Sequence, residues 1–384
     1  MTRLLLTNAM ICSPGAPCAE GYVLIEDGTI RDVGTGEAPR VDGERLDLGG
    51  LTLAPGFIDL HAHGALGRDT MDADPAALRE MAAFYARHGV TSFLATTMTA
   101  PQAQILAALR AIGQVRDEGS GGAQLLGAHV EGPYIDVERR GCQDANLVRC
   151  AAPDEYGPIL DTGAVRLVTL APEYAENRTL IAAARERGVV IAAGHTRASY
   201  EELLAAVELG ISQVTHMFNA MEPLHHRKPG VVGGALALDA LRCEVIADNV
   251  HVHPAVLKVA VRAKGVDGIM LVTDAMSGTG MPDGEYTLGG LRVTVRGGEA
   301  RLADGTLAGS TLTLDRAVAN IMAAAEIPLS DAVTMATRTP ARALGLEGHK
   351  GAIAPGMDAD LVALDDDVRV RLTIVGGRVV YEAL

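Results

Sequence analysis

Two histidines one residue apart, His61 and His63, end an apolar run that begins at Pro55. Side chains alternate between the two faces of a strand, so both imidazoles would project to the same side, together with Asp59. Imidazole is a common ligand of zinc and other transition metals. A strand end with incidental polar residues explains one such pair equally well, so the interpretation depends on how the other apolar runs end.

Four further apolar runs also end in side chains that bind metals or move protons. They end at Glu131, His195, His216 and Asp274, and His129 shares the strand face of Glu131. A carboxylate at the end of an apolar strand has to be paired, hydrogen-bonded or metal-bound, because an isolated buried charge is very costly. A lone histidine there is more often an ordinary core residue, but five such strand ends are not expected by chance. We therefore predict one metal site.

The predicted donors are nitrogen and carboxylate oxygen without thiolate. Such a set suits Zn²⁺ best, and Fe²⁺ or Mn²⁺ would use the same donors. A catalytic site of this kind keeps one position open for water, whose pKa the metal lowers to about 7. Asp274 ends the last of these runs and would be the catalytic residue that acts on the water.

The runs that carry these residues alternate with helical stretches, which is the pattern of parallel β/α repeats. Asp74 and Pro75 predict the N-cap and first residue of one helix, and Ser199 with Glu202 predicts a capping box before another. Eight repeats match a (β/α)8 barrel over 54–344, whose active site lies at the carboxyl ends of the strands. The predicted strand ends lie near His63, Thr97, Glu131, Ala171, His195, His216, His251 and Asp274.

Both ends of the chain predict β-structure without intervening helices. A hairpin pattern turns at Asp27-Gly28, and the C-terminal residues repeat a strand–turn–strand pattern. We expect 1–53 and 345–384 to form one small domain, with a possible insert at 285–307. The predicted fold class is α/β, a (β/α)8 TIM-like barrel with a small β-sandwich domain built from both chain ends.

Composition limits the partners. The 384-residue chain is 48% hydrophobic and has a net charge of −15, from 33 basic and 48 acidic residues, which argues against nucleic acid or an anionic membrane. Its five cysteines are scattered, so neither a disulfide framework nor a cysteine-type zinc site is predicted. No run is long enough to cross a bilayer, and no signal-peptide core is evident. We expect a cytoplasmic protein.

Short motifs follow the predicted strands along the barrel. They are HVEGP (129–133), GHT (194–196), THMFNAM (215–221), HHRKPG (225–230), ADNVHV (247–252) and VTDA (272–275). Together with the His-x-His pair they resemble the N-acetylglucosamine-6-phosphate deacetylases of the amidohydrolase superfamily, over nearly the whole chain. The resemblance implies Glu131, His195 and His216 as ligands of one metal. His61 and His63 bind a second in members that retain them, so one or two ions are expected per chain.

Lysine usage excludes one branch of that superfamily. Dihydroorotases, ureases and hydantoinases bridge two metals with a carboxylated lysine on the fourth barrel strand. The predicted fourth strand at 165–172 contains no lysine, and none precedes Lys228. Glu131 would then be the protein group that bridges two metals, if two are bound.

A basic cluster at 225–228 indicates an anionic substrate, although such a cluster is by itself more often a solvated turn. The planar guanidinium of Arg227 suits a phosphate. The resemblance implies phosphate contacts from Arg227, His251 and the backbone of Asn219 and Ala220, in a homodimer where part of this contact crosses between subunits. It also matches a substrate-contacting loop to Leu307, Ala308 and Gly309.

One position departs from the family pattern. Where many members place a histidine against the N-acetyl group, this chain has Cys142 and Gln143 after Gly141. Glutamine can donate a hydrogen bond to a carbonyl but cannot carry a positive charge. We expect this change to affect acyl specificity and the pH profile rather than the reaction class.

The resemblance implies a metal-dependent hydrolase that removes acetate from N-acetylglucosamine 6-phosphate and yields glucosamine 6-phosphate. Asp274 would take a proton from the attacking water and return it to the departing amine, while Gln143 helps to hold the carbonyl. Two alternatives stay open: deacylation of another amino-sugar phosphate or an N-acyl amino acid, and a non-catalytic, metal-stabilised sugar-phosphate sensor. The phosphate contacts disfavour an amino-acid substrate, and Asp274 disfavours a sensor.

Overall fold

A barrel of eight parallel strands forms the larger unit of the computed structural model, which describes residues 3–384. Barrel strands one to eight are, in chain order, Phe57–Ala62, Val90–Thr97, Gln124–Glu131, Val165–Leu170, Val190–Ala193, Gln213–Val214, Arg242–Ile246 and Ile269–Val272. Neighbouring strands pair in this order. A bridge between Ala62 and Ala275 joins the end of strand one to the residues after strand eight. The predicted barrel is confirmed.

Strand seven is where the predicted and observed strand ends differ most. Seven strands end within two residues of their predicted positions, but strand seven ends at Ile246 rather than near His251. The side chain of Asp248 accepts hydrogen bonds from the N–H groups of Val250 and His251. Such a turn, in which a side chain replaces a backbone acceptor, interrupts the extended chain. His251 therefore lies in the loop that follows the strand.

The helices alternate with the barrel strands. They are Pro75–Arg87, Gln102–Glu118, Pro153–Asp161, Ala175–Glu186, Tyr200–Leu209, Gly230–Ala237, Pro254–Lys264, Leu314–Ala325, Leu329–Ala336 and Arg338–Ala343, with 3-10 turns at Thr70–Asp72 and Val137–Arg139. The Asp74 cap and the Ser199–Glu202 capping box are confirmed. Among the helices of residues 3–384, none combines the length and apolar character that a bilayer crossing requires.

Asp59 fastens strand one to strand eight. Its carboxylate accepts hydrogen bonds from the Thr273 hydroxyl at 2.6 Å and from the N–H groups of His61 and Thr273. Burial raises the pKa of Asp59 to about 6, although the Thr273 hydrogen bond opposes this shift. The His61 N–H is one of the groups bonded to Asp59, and Asp274 directly follows Thr273 in the chain. The hydrogen bonds of Asp59 therefore hold His61 and Asp274 next to each other.

Strands from both chain ends form a second sheet, which confirms the predicted small β-domain. The first strand pairs with Glu44–Asp47 along its beginning and with Thr52–Pro55 at its end. A hairpin turns at Asp27-Gly28, as predicted. The sheet contains Arg3–Ile11, Ala19–Glu26, Thr29–Thr35, Glu44–Asp47, Thr52–Pro55, Leu361–Leu364, Val370–Val375 and Arg378–Glu382. The exact domain boundaries, 1–53 with 345–384 and 54–344, stay predictions.

Two further features belong to the loops. Cys12 and Cys18 form a disulfide within the first hairpin, which the sequence did not predict because the strand pairing, rather than a recognisable spacing, brings them together. Near the predicted insert, the strands Gly284–Leu288, Leu291–Arg296 and Glu299–Arg301 form a small sheet. Its buried residues, including Leu288, pack against Met98 of the barrel.

A buried ion pair lies in the small β-domain, next to the residues that lead into barrel strand one. Lys350 contacts Asp360 and, at 3.0 Å, Asp358, and the Asp360 carbonyl accepts the N–H of Gly56. We expect Lys350→Ala to lower the free energy of unfolding by about 3–5 kcal/mol, because it leaves a buried carboxylate without its cation. Urea unfolding measures the change.

The exposed pair Arg68–Glu80 supplies the control for this prediction. Arg68→Ala should cost less than about 1 kcal/mol, because solvent screens an exposed pair. The double variant Lys350→Ala/Asp360→Ala should recover part of the loss. A Lys350→Ala protein no less stable than Arg68→Ala would show that the buried pair does not stabilise the small β-domain.

Candidate active site

Three of the predicted metal ligands meet at the carboxyl end of the barrel. The Nε2 atoms of His195 and His216 lie 3.1 and 3.0 Å from Oε1 of Glu131, and the two nitrogens are 3.0 Å apart. All three side chains are buried. They come from the ends of strands three, five and six, which the barrel places around one axis.

A second group lies against the first. The Nε2 atoms of His61 and His63 are 3.1 Å apart, and Oδ1 of Asp274 lies 3.2 Å from the His63 nitrogen and 3.5 Å from the His61 nitrogen. Glu131 contacts this group as well, with Oε1 3.5 Å from His61 Nε2 and Oε2 3.4 Å from His63 Nε2. The carboxylate of Glu131 therefore stands between two sets of ligands.

These donors fit divalent metal ions. Within each group the ligand atoms lie within 4.8 Å of one another. Two imidazole nitrogens facing each other at about 3 Å cannot both carry a proton on the line between them, whereas a cation satisfies both lone pairs. Nitrogen and carboxylate donors without a thiolate likewise suit a divalent metal.

The charges of the site also favour a cation. Burial lowers the pKa of His61 and His63, but the carboxylates of Glu131 and Asp274 outweigh burial and raise both, that of His63 to about 9. Burial alone would raise the pKa of Asp274, yet His61 and His63 hold it at about 2. The two carboxylates thus create a field that attracts positive charge, and metal ions would compete for it with protons.

The backbone turns these side chains toward one another. His195, His216 and Asp274 each lie two residues beyond the end of a strand and have φ values of 48°, 28° and 51°. Residues other than glycine rarely adopt this left-handed conformation, and it concentrates at functional sites. The residue after Glu131 is Gly132, which also has a positive φ of 73°. A side chain would not fit there, because a Cβ would lie 2.2 Å from Oγ1 of Thr99.

Several residues that support the ligands were missed in the sequence. The carbonyl of Arg139 accepts a hydrogen bond from His195 Nδ1 at 2.8 Å, and Asp136 caps the 3-10 turn that holds this carbonyl. Glu244 on strand seven contacts His61 Nδ1 at 3.0 Å. An acidic residue within the buried strand Arg242–Ile246 was the available signal for Glu244, because a buried carboxylate needs partners.

The two remaining histidines of interest do not line this site. His129 is buried below it, where its Nε2 contacts the Thr169 hydroxyl at 2.7 Å, and burial lowers its pKa well below the usual value. His253 is exposed and accepts a hydrogen bond from Ala255 as the N-cap of a helix.

A cavity of about 190 Å³ opens beside the ligands. Two predicted substrate contacts lie elsewhere in the described chain: Ala308 is buried in the apolar cluster with Met98 and Leu288, and Arg227 is on an exposed loop, 2.6 Å from His226. The residues that line the cavity include the predicted substrate contacts Cys142, Gln143, Asn219, Ala220, His251, Leu307 and Gly309.

Gln143 is held in one orientation. Its carbonyl oxygen accepts the Thr99 N–H at 2.7 Å, and its amide nitrogen donates to Oε2 of Glu131 at 2.9 Å. One amide hydrogen of Gln143 is thus already donated to the metal ligand Glu131. Only the second hydrogen of this amide is left for a substrate carbonyl, which narrows the role expected from the sequence.

Comparison with known proteins agrees with this geometry. Residues 52–380 match the model of the amidohydrolase family, and the chain belongs to this family. It is 39% identical over 381 residues to N-acetylglucosamine-6-phosphate deacetylase of Lysinibacillus sphaericus, covering 98% of this chain and 97% of that protein. It is 40% identical over 328 residues to N-acetylgalactosamine-6-phosphate deacetylase of Escherichia coli O157:H7, covering 85% and 87%.

A solved structure extends the comparison. A mutant N-acetyl-D-glucosamine-6-phosphate deacetylase of Mycobacterium smegmatis, in complex with N-acetyl-D-glucosamine-6-phosphate, superposes with a TM-score of 0.92 at 35% identity. The match covers 99% of this chain and all of that one. The barrel and the small β-domain are therefore shared with a protein that binds an amino-sugar phosphate.

The two ligand groups predict different responses to substitution. Glu131→Ala should lose all tightly bound metal, because its carboxylate contacts both groups, and His195→Ala or His216→Ala should lose the metal of the first group. His61→Ala or His63→Ala should lose at most one of two ions. Mass spectrometry of the metal content, after dialysis against metal-free buffer, measures these losses. Normal metal content and turnover in Glu131→Ala would contradict the assignment.

Proposed function

We propose that this protein is a metal-dependent deacetylase that hydrolyses the N-acetyl amide of N-acetylglucosamine 6-phosphate to glucosamine 6-phosphate and acetate. The convergence of two histidine–carboxylate groups on Glu131, beside a cavity lined by predicted substrate contacts such as Gln143 and His251, carries this proposal. The Mycobacterium smegmatis relative bound to this substrate supports it. Release of acetate by the purified protein, followed with a substrate panel, tests it.

Each proposed role follows from the position of a side chain. A bound divalent ion would polarise the amide carbonyl and acidify a water molecule. Asp274, whose pKa is held at about 2, is ionised at neutral pH and can accept a proton from that water. The same carboxyl group then returns the proton to the departing amine. The second amide hydrogen of Gln143 can donate to the acyl oxygen.

We expect His251 to bind the phosphate. It lines the cavity, and its Nδ1 contacts Oδ2 of Asp248 at 2.6 Å, so Nε2 can donate to a phosphate when the ring is protonated. Burial lowers the pKa of His251, but the hydrogen bond and charge of Asp248 outweigh burial and raise it. A positive charge at His251 would attract the dianionic phosphate, and Asn219 and Ala220 would add backbone contacts.

The proposal also includes a metal, a cellular location and an oligomeric state. Zinc is the metal that best suits imidazole and carboxylate donors in an open catalytic site. A cytoplasmic location is consistent with a phosphorylated sugar as substrate. A homodimer would explain why Arg227 lies on an exposed loop away from the cavity of its own chain, since it could then reach the cavity of the partner.

The substrate panel should separate this function from its alternatives. It contains N-acetylglucosamine with and without the 6-phosphate, the galacto epimer of the phosphate, and N-acetyl amino acids. The epimer belongs in the panel because the Escherichia coli relative carries that name. Metal-loaded protein that releases no acetate from any of these compounds would contradict the proposal.

Asp274→Asn distinguishes chemistry from binding. It removes the base but keeps the shape, so substrate and metal should still bind while kcat falls by about 10²–10⁴-fold, the usual effect of a positioned acid–base group. The acidic limb of the kcat/KM profile reports the coupled titration of Asp274 and its neighbours. It should shift or disappear in the variant, because asparagine does not ionise. A variant with kcat within a few-fold of the original and the same acidic limb would mean that another group moves the proton.

Arg227→Ala tests the phosphate contact. Loss of one charge-assisted hydrogen bond should lower the preference for phosphorylated over plain N-acetylglucosamine by about 1.5–3 kcal/mol, or roughly 10- to 200-fold. The ratio of the two kcat/KM values measures this preference. An unchanged ratio would show that the basic loop at 225–228 is a solvated turn without a role in phosphate binding.

Hybrid dimers show which subunit Arg227 serves. Differently tagged Arg227→Ala and Asp274→Asn chains are coexpressed and the mixed dimer is purified. If Arg227 acts across the interface, the mixed dimer contains one complete site and regains about half the normal activity per dimer. A mixed dimer without such recovery would place the contact within one chain.

A further inference from the structure

Glu244 is a buried carboxylate to which the proposed reaction assigns no task. It lies in the middle of strand seven, between Cys243 and Val245, and is fully buried. A carboxylate in such a place is costly unless it is paired or hydrogen-bonded. Its contacts therefore indicate what it contributes.

Glu244 contacts one ligand residue from each of the two metal groups. Its Oε2 lies 3.0 Å from Nδ1 of His61 and accepts the backbone N–H of His216 at 3.2 Å. Its Oε1 has no hydrogen-bond partner among the described residues. The ring of His129 packs edge-on against the ring of His61, with centroids 4.6 Å apart. The His61 imidazole is thus held by a carboxylate at one nitrogen and by the nearly perpendicular ring of His129.

The hydrogen bond determines the tautomer of His61. A carboxylate only accepts hydrogen bonds, so Nδ1 of His61 carries a proton, and Nε2 is the nitrogen whose lone pair can bind a metal. That Nε2 is the atom that faces His63 Nε2 at 3.1 Å. Carboxylates that bind the outer nitrogen of a metal-ligating histidine orient the ring and make it a better donor.

We propose that Glu244 is the positioning residue that creates the His61–His63 metal position, by setting the tautomer and ring orientation of His61. This inference rests on the proposed function, because it concerns the same metal centre. Through the His216 N–H, Glu244 also ties the second metal position to the first. The chain would need this carboxylate to hold two ions rather than one.

Glu244→Gln is the decisive variant, because it keeps the volume and replaces the acceptor-only carboxylate with an amide. The protein is equilibrated with Zn²⁺ at graded free concentrations set by a chelator, and bound zinc is measured by mass spectrometry. We expect two ions in the unmutated protein. In the variant, one ion should bind about 10- to 100-fold more weakly, while the other is unchanged.

Two further variants separate positioning from general damage. If Glu244 acts through His61, Glu244→Gln/His61→Ala should lose no more zinc affinity than His61→Ala alone. Asp315→Asn is the matched control, because it also breaks a carboxylate–histidine contact, with Nδ1 of His88. It should leave both ions in place.

The possible results distinguish the inference from the proposed function. Unchanged affinity for both ions in Glu244→Gln, or a single ion in the unmutated protein that His61→Ala does not affect, overturns the inference alone. An unmutated protein that binds no zinc overturns the proposed function as well. If the variant does not fold, nitrogen NMR of the unmutated zinc protein still tests the tautomer, with the His61 signal assigned by His61→Ala. A proton on Nε2 instead of Nδ1 overturns the inference.

Discussion

The buried carboxylate of Glu131 is the constraint on which the rest of the site depends. A carboxylate at 2% exposure cannot remain without compensation, and four imidazole nitrogens lie 3.0–3.5 Å from its two oxygens. Those imidazoles come from three other strands, so the compensation exists only when the barrel closes in register. Bound metal ions would replace the hydrogen bonds between these side chains with stronger bonds to the same nitrogen and oxygen atoms.

The parts around the ligands keep that arrangement rigid. Asp59 fastens strand one to strand eight beneath the His61–Asp274 pair, and Gln143 is fixed between a backbone N–H and Glu131. The small sheet that begins at Gly284 covers one side of the cavity, where Leu288 packs on Met98. Catalytic groups have to be positioned closely, and these contacts leave the side chains little freedom to move.

Gln143 illustrates how far the amino-acid type alone can predict a role. Its replacement of a histidine indicated an uncharged donor for the substrate carbonyl. The structure adds that both ends of its amide are already engaged, because Thr99 holds the oxygen and Glu131 takes one hydrogen. Glu244 shows the reverse case: nothing near it in sequence resembles a metal motif, yet it contacts His61 across 183 positions of the chain.

The sequence by itself determined the barrel, the small β-domain and the identity of the candidate ligands. Strand periodicity and polar strand ends are local properties, and the carboxyl ends of parallel strands in a barrel necessarily meet. The tertiary structure alone showed that Asp274 contacts both His61 and His63, and that Glu244 supports His61 from strand seven. It also placed Ala308 in the core and His251 in a loop beyond its strand. These outcomes depend on strand register and on the left-handed turns at His195, His216 and Asp274, which long-range packing imposes.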